Sequence, residues 1–381
     1  MKHYDYIFAG AGLSSLMTVY KMVLSQKFTN KNILLIDEDC KQTNDRTWCF
    51  WENGAGNWDD IVSKTWDIAL FADDDFSREL NLKPYTYKML QGLDFYTKVL
   101  ARISNEENIT FINQKITAIE GKNRKIILKT TQEDYSCDKL FNSIYNKSMV
   151  NDQVKYPVLQ QHFVGWFIKS EQAFIKPEVA TFMDFSVEQK DNTRFMYVLP
   201  TSETEALIEY TLFSSELLGK EDYETAIKEY ILKLGISNYT IVKKEQASIP
   251  MTCYPFWEKD TVDILHIGSA GGWTKPSTGY TFRNADKKSD ELVIFLQKHS
   301  DFRRFHKARI FWFYDLLLLD ILKRNNEMGS QIFSSIFIKA KPKLIFKFLD
   351  EETSFIEDLQ LIMKCPKKLF INAFFRRIFH L

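Results

Sequence analysis

The stretch Tyr6-Ile7-Phe8-Ala9-Gly10-Ala11-Gly12-Leu13-Ser14-Ser15 decides the reading of this 381-residue chain. An apolar run is interrupted by Gly-x-Gly. A helical pattern then starts, with apolar side chains at 13, 16, 17, 20, 23 and 24. A second apolar run, Ile33-Leu34-Leu35-Ile36, ends at Asp37, about 25 residues beyond Gly12. Strand, tight glycine turn, helix, parallel strand and terminal acid are the parts of a dinucleotide-binding unit. Gly10 permits the sharp turn, and Gly12 lets backbone approach a pyrophosphate. The helix starting there aims unpaired N–H groups and its positive dipole end at the anion. Asp37 is placed to accept hydrogen bonds from ribose hydroxyls. Ser15 takes the third small position, where Gly or Ala is usual.

A second glycine cluster, Gly268-Ser269-Ala270-Gly271-Gly272-Trp273-Thr274-Lys275-Pro276-Ser277-Thr278-Gly279-Tyr280, follows the strand pattern Val262–Ile267 and precedes a helix to about Lys298. The two clusters hold six of the 14 glycines, so glycine is kept where backbone contact is needed. In many FAD enzymes a strand here ends in Gly-Asp; Ser269 replaces that aspartate. Pro276, Thr278, Gly279 and the helix after them fit a loop whose amides face a flavin ring. Two such clusters clamp one extended cofactor at both ends, which fits FAD better than NAD. Leu140-Phe141-Asn142-Ser143 reads as a buried strand whose last residue, Ser143, lies against the cofactor.

Between the clusters the pattern changes. Asn44-Asp45-Arg46-Thr47-Trp48-Cys49-Phe50-Trp51-Glu52 reads equally as a ligand-lining segment or as a packed loop with Arg46 paired to an acid. Residues 66–88 alternate weakly around Asp73-Asp74-Asp75, expected to be a solvated turn. Ile109–Ile112, Ile116–Ile119 and Lys125–Leu128 read as short strands, with Gly121-Lys122-Asn123 as a hairpin turn. From 160 to 213 four runs at β spacing (Gln161–Lys169, Val179–Val187, Thr193–Pro200 and Glu205–Phe213) predict an antiparallel meander with one face toward a ligand. Glu209 shares its face with Leu207, Thr211 and Phe213, in an apolar, aromatic strand. Such a carboxyl either pairs with a lysine or arginine at the sheet edge or is held protonated by burial. Asp222–Leu234 is amphipathic, and Glu245–Thr252 is expected to re-enter the first unit.

The last 80 residues read as helices over Phe302–Arg324, Gln331–Phe348 and Phe355–Phe375. Lys364 to Leu381 carries five basic residues and no acid, interleaved with Phe370, Ile371, Phe374, Phe375, Ile378 and Phe379. That composition fits a helix lying on an anionic membrane surface, or else a docked helix with a basic outer face. The longest apolar run, Ile310 to Leu322, is too short to span a bilayer and carries Asp315 and Asp320. Fifty basic and fifty acidic residues cancel, which argues against nucleic acid as a partner. Met1-Lys2-His3 leads directly into the first strand and leaves no room for a signal peptide. Five scattered cysteines without C-x-x-C spacing fit free thiols in a reducing compartment.

The expected architecture is therefore α/β (α+β). A Rossmann-type FAD-binding domain (1–149 and 245–299) carries an inserted antiparallel-sheet substrate domain (150–244) and a helical, membrane-facing C-terminal region (300–381).

These residues resemble the flavin-dependent lycopene β-cyclases of carotenoid biosynthesis. The resemblance runs through Asp45–Trp51, Tyr87-Lys88-Met89-Leu90, Asp94-Phe95-Tyr96, Phe141-Asn142-Ser143 and Gln161–Trp166. It continues through Met183-Asp184-Phe185, Phe195–Pro200, Leu207-Ile208-Glu209-Tyr210-Thr211, Ile249-Pro250-Met251 and Gly268–Tyr280. It implies an isomerase that cyclises lycopene, with FAD kept reduced by NAD(P)H and no net redox change. The family's acid motif, an apolar pair followed by Glu, any residue and Thr, falls on Glu209. Glu245 is the expected relay or orienting carboxylate, and Arg46 and Trp48 the lining of the flavin–substrate junction. With the basic, aromatic C-terminal stretch, the expected place is peripheral, on the cytoplasmic face of a bacterial membrane. The alternatives are an FAD-dependent monooxygenase or reductase acting on a polyene or isoprenoid lipid, and a lipid carrier that keeps the fold without the chemistry.

Overall fold

Residues 1–122 and 125–379 are described by a computed structural model. Lys2–Ala9 lies at the centre of a seven-stranded sheet, parallel to Ile33–Asp37 on one side and to Asp134–Asn142 on the other. Ile109–Asn113 extends it beyond Ile33–Asp37, and Ile264–His266 joins Asp134–Asn142 in parallel. Tyr6–Ala9 and Ile33–Ile36 read as unbroken apolar runs because both of their faces are covered, one by the helices carrying Leu16 and Leu292 and the other by the strand carrying Ile126 and Leu128. Ile116–Lys122 and Lys125–Thr130 form an antiparallel pair on the far edge. Of the expected turn, Gly121 and Lys122 belong to the first of these strands, and Asn123 lies outside the described residues.

The Leu13–Ser25 and Phe282–Leu296 helices pack side by side, joined by Thr18 Oγ1 to Ser289 Oγ (3.0 Å) and by the buried Lys21–Asp286 ion pair (2.7 Å). Their starts carry the two glycine clusters, so segments about 260 residues apart in sequence meet in space. A Cβ on Gly268 would lie 3.1 Å from Ser14 Oγ.

The second seven-stranded sheet runs in the order Tyr239–Thr252, Val158–Ser170, Glu205–Ser214, Thr193–Pro200, Val179–Asp184, Ile68–Ala72, Ser77–Asn81. Its pairs are antiparallel except Val179–Asp184 with Ile68–Ala72. The alternation expected in Glu205–Ser214 is present. Ile208, Tyr210 and Leu212 pack under the Lys220–Lys233 helix with Tyr223, Ile227 and Ile231. Leu207, Glu209, Thr211 and Phe213 face a cavity.

Three expectations are corrected. Tyr239–Thr252 does not re-enter the first unit at 245; it is one strand of the second sheet, paired along its length until Thr252 meets Val158. Residues 66–88 are mostly strand. Asp73–Asp75 is the turn of a hairpin that extends the second sheet, and Tyr85–Gln91 is the middle strand of a small sheet with Thr47–Asn53 and Val62–Trp66. The C-terminal helices are shorter than expected. They run Ile310–Arg324, Gly329–Lys339, Pro342–Leu349, Phe355–Ile362 and Lys367–Phe379. Pro342 opens one of them, and Pro366 precedes another; a proline inside a longer helix would lose a hydrogen bond and clash with the preceding turn. These helices cover the cavity side of the second sheet, with Phe71 stacked on Phe337 at 4.7 Å and Phe185 on Phe333 at 6.0 Å. Each fully buried aromatic side chain contributes about 1.5–3 kcal/mol to that closure.

Candidate active site

The glycine turn of the first cluster is built for close approach. Gly10 has φ +88°, and a Cβ there would collide with Ser143 Oγ. Ser143 follows the end of the Asp134–Asn142 strand against this turn, and its hydroxyl donates to the Ala9 and Gly10 carbonyls at 2.9 and 3.1 Å. Asp37 reaches back from the next strand, and its Oδ2 accepts the Ala11 N–H at 2.6 Å. Lys41 lies 3.3 Å from the same oxygen. Nothing lies within 4 Å of where a Cβ on Gly12 would project. That leaves an open cradle at a helix N-terminus, the shape a dinucleotide pyrophosphate needs. Ser15 is fully buried inside the helix, and its hydroxyl has no partner among the described residues.

The second cluster closes on the same space. Gly268 (φ +61°) and Gly279 (φ +71°) take left-handed turns, and a Cβ on Gly279 would collide with the buried, unpartnered Oε1 of Gln161. A cavity of about 1270 Å³ is lined by Gly12, Arg46, Ser143, Ser269, Thr278 and Gly279 at one end and by Glu209 and Glu245 further in. Gly10, Ser15, Asp37, Gly268 and Pro276 stand behind this lining and shape its turns. Lys275, buried beneath the loop, is anchored to the C-terminal helical region through Asp315 (2.9 Å) and Glu351 (3.1 Å).

Strand register sets the chemistry further in. Glu245 opposes Gly165, Gly165 opposes Glu209, and Glu209 opposes Tyr197, forming one row across four strands. The two carboxylate-bearing backbones are thus two strand spacings apart, about 10 Å. Gly165 keeps the gap between them clear. A Cβ there would lie 2.9 Å from Leu207 Cδ1, 3.4 Å from Glu245 Cγ and 3.5 Å from Glu209 Cβ.

Glu209 is 6% exposed and accepts a hydrogen bond from Thr211 Oγ1 at 2.6 Å. Among the described residues no lysine or arginine pairs with it. Burial first, then the neighbouring Glu245, push its pKa up to about 8 against the opposing Thr211 bond. Burial raises Glu245 too, offset in part by the Thr47 hydroxyl at 3.0 Å and by the Lys243 ammonium at 3.8 Å. The arrangement therefore holds a carboxylic acid that keeps its proton at neutral pH, beside a second carboxyl more tied to its neighbours.

The surrounding wall is aromatic: Trp51, Phe163, Phe182, Phe195, Phe213 and Tyr280 all line the cavity. Trp48 lines it as well, set edge-on against Phe95 and Tyr96. Arg46 lines the cavity and also pairs with Asp45 at 3.4 Å, while Thr47–Asn53 is a strand and not the packed loop of the second reading. A hydroxyl chain links two wall residues through one behind them, Tyr197 to Tyr87 (2.5 Å) to Tyr280 (2.7 Å). Burial raises all three phenols, so they stay neutral.

Sequence reading missed this chain and Gly165. Gly165 had a usable signal, a lone glycine inside a strand pattern, which often marks close approach of another group. The tyrosines come from three separate segments, and no local spacing joins them.

The family model described as "Lycopene cyclase protein" matches residues 5–375. A lycopene beta-cyclase of Pantoea ananas is 25% identical over 303 residues, covering 76% of this chain and 74% of that protein. A lycopene beta-cyclase of Paracoccus sp. (strain N81106 / MBIC 01143) is 30% identical over 138 residues, 35% of each chain. Among solved structures, a geranylgeranyl bacteriochlorophyll reductase-like protein from Thermoplasma acidophilum superposes with a TM-score of 0.62 at 10% identity, over 98% of both chains. The halogenase PltM in complex with phloroglucinol and FAD gives 0.59 at 10% identity, over 94% of this chain and 83% of that one. These structural likenesses, at 10% identity, establish the fold alone.

Proposed function

The chain belongs to the lycopene cyclase family, and on that premise we propose that it converts lycopene via γ-carotene to β-carotene by protonation-initiated ring closure. The observation that carries this reading is Glu209, a buried, uncharged acid with no cationic partner among the described residues, on the wall of an aromatic cavity. A hydrocarbon polyene offers no polar handle, so its binding rests on apolar and aromatic surface.

Glu209 delivers its proton to carbon 2 of a terminal double bond, leaving a cation at carbon 1. The π pair of the carbon 5–carbon 6 double bond closes the ring from carbon 6 to carbon 1 and moves the cation to carbon 5. Loss of the carbon 6 proton restores the double bond. The proton returns to the Glu209 carboxylate or passes to Glu245, so one proton enters, one leaves, and no net redox change occurs. The aromatic faces attract the transient cation, and their packing excludes water that would trap it. Tyr197, Tyr87 and Tyr280 remain neutral and fix the polar edge of the wall.

We assign Gly12, Ser143, Ser269, Thr278 and Gly279 to holding FAD, with Gly10, Ser15, Asp37, Gly268 and Pro276 shaping the turns. When bound and reduced, FAD supplies negative charge beside the cationic transition state, with NAD(P)H as its reductant. A cyclase returns its flavin unchanged, so the expected NAD(P)H consumption is far below one per ring formed. Stoichiometric consumption, measured at 340 nm against pigment formed, would instead favour a reductase or monooxygenase.

We also propose peripheral docking on the cytoplasmic face of the membrane. No helix among the described residues is long and apolar enough to cross a bilayer. Phe355, Ile356, Leu359, Ile371, Phe375 and Phe379 are nonetheless exposed on the last two helices. Leu359, Ile371 and Phe375 also line the cavity, so its apolar wall continues onto this surface, as a route for a polyene from the bilayer requires.

A further inference from the structure

A second cavity, of about 940 Å³, lies on the other side of the Lys367–Phe379 helix. Among the described residues it is lined by six cationic side chains (Lys147, Lys155, Lys323, Arg324, Arg376 and Arg377) and a single acid, Asp320. Asp320 is already paired with Arg377. Among the described residues none of the other five cations has a carboxylate partner. Lys323 and Arg324 end the Ile310–Arg324 helix, where the dipole favours cations. That accounts for two of the six and not for their convergence with Lys147, Lys155 and Arg376 from two other segments. In a chain whose charges cancel overall, this concentration calls for an anion.

The helix between the cavities is divided accordingly. Leu369, Asn372, Ala373, Arg376 and Arg377 fall at helical spacing and line the cationic cavity. Ile371, Phe374 and Phe375 fall on another stripe and line the large apolar cavity. Ile378 and Phe379 continue that stripe in exposed positions. A group bound on the cationic side would fix the depth and rotation of the helix, and with them the orientation of the apolar stripe at the cavity mouth.

We propose that the cationic cavity is a second binding site, for the phosphate headgroup of an anionic membrane lipid. It rests on the membrane-docking reading above and adds to it a defined headgroup pocket. Arginine forks match phosphate oxygens bidentately, and Ser215, Asn325 and Asn372 in the lining offer further donors. The bound lipid would keep its acyl chains beside the Phe374–Phe379 stripe, where the polyene enters.

The test uses flavin-loaded protein sedimented with vesicles of phosphatidylcholine alone or of phosphatidylcholine with phosphatidylglycerol. The variant is Lys155→Gln/Arg324→Gln/Arg376→Gln, whose flavin absorbance reports an intact fold. Binding to the anionic vesicles should fall about fivefold per charge removed, on the order of a hundredfold for three, and binding to the neutral vesicles should not change. In about 1 M salt, where diffuse attraction is screened, the wild type should keep its preference for anionic vesicles and the triple variant should not.

Equal binding of the wild type to both vesicles would overturn the headgroup site and leave membrane docking standing. A preference that disappears from the wild type in high salt would also overturn the site. Wild-type protein bound to neither vesicle would overturn docking and the site together. Displacement from the anionic vesicles by inorganic phosphate beyond that by sodium chloride of equal ionic strength would support a pocket that recognises the headgroup phosphate.

Discussion

Glu209→Gln keeps its flavin and loses ring closure by a factor of about 10²–10⁴, the usual worth of a positioned general acid. The amide matches the carboxyl in size, and Thr211 Oγ1 can still donate to its carbonyl oxygen, so the wall stays intact. The same substitution should raise thermal stability at pH 8–9. The folded-state pKa of Glu209 is pushed up to about 8 from the ordinary 4.5. Between those values the folded protein holds a proton that the unfolded chain has released, so stability falls as pH rises through this window. Glutamine removes that loss. A variant that is more stable at high pH yet inactive cannot owe its inactivity to misfolding. The wild-type rate should fall as pH rises through about 8, where the acid form disappears. Near-normal conversion by Glu209→Gln would take the acid role from this residue.

Gly10→Ala should abolish flavin retention. At φ +88° a non-glycine residue costs on the order of 1–3 kcal/mol, and the added methyl group would also collide with Ser143 Oγ. The turn cannot relax alone. The Ala11 N–H is held by Asp37, and the Gly10 carbonyl accepts from Ser143. Relief of the collision therefore displaces the cofactor-facing ends of three strands together. The purified variant should lack the 450 nm flavin band and melt well below wild type. A fully flavinated Gly10→Ala protein would contradict the role given to this turn.

The glycine turn and Glu209 were legible because their signals are local. A positive φ demands glycine at one position, and a carboxylate at the centre of an apolar alternation stands out within five residues. The partners of Glu209 were less legible, since Gly165, Tyr197 and Glu245 join it only through pairing among four strands. Register of that kind depends on long-range packing, which no sequence window contains. The same holds for Tyr239–Thr252, whose charged alternation gave no sign that it would stay in the second sheet to Thr252. The helix breaks at Pro342 and Pro366 had a readable local signal that the apolar stripes obscured.

Production of the chain in a bacterial host that accumulates lycopene, with mass analysis of the extracted pigment, tests the central claim most directly. The account predicts a shift from red to orange-yellow and a product isomeric with lycopene that co-elutes with β-carotene. A product carrying added oxygen or hydrogen, or unchanged lycopene beside flavin-loaded protein, would contradict it.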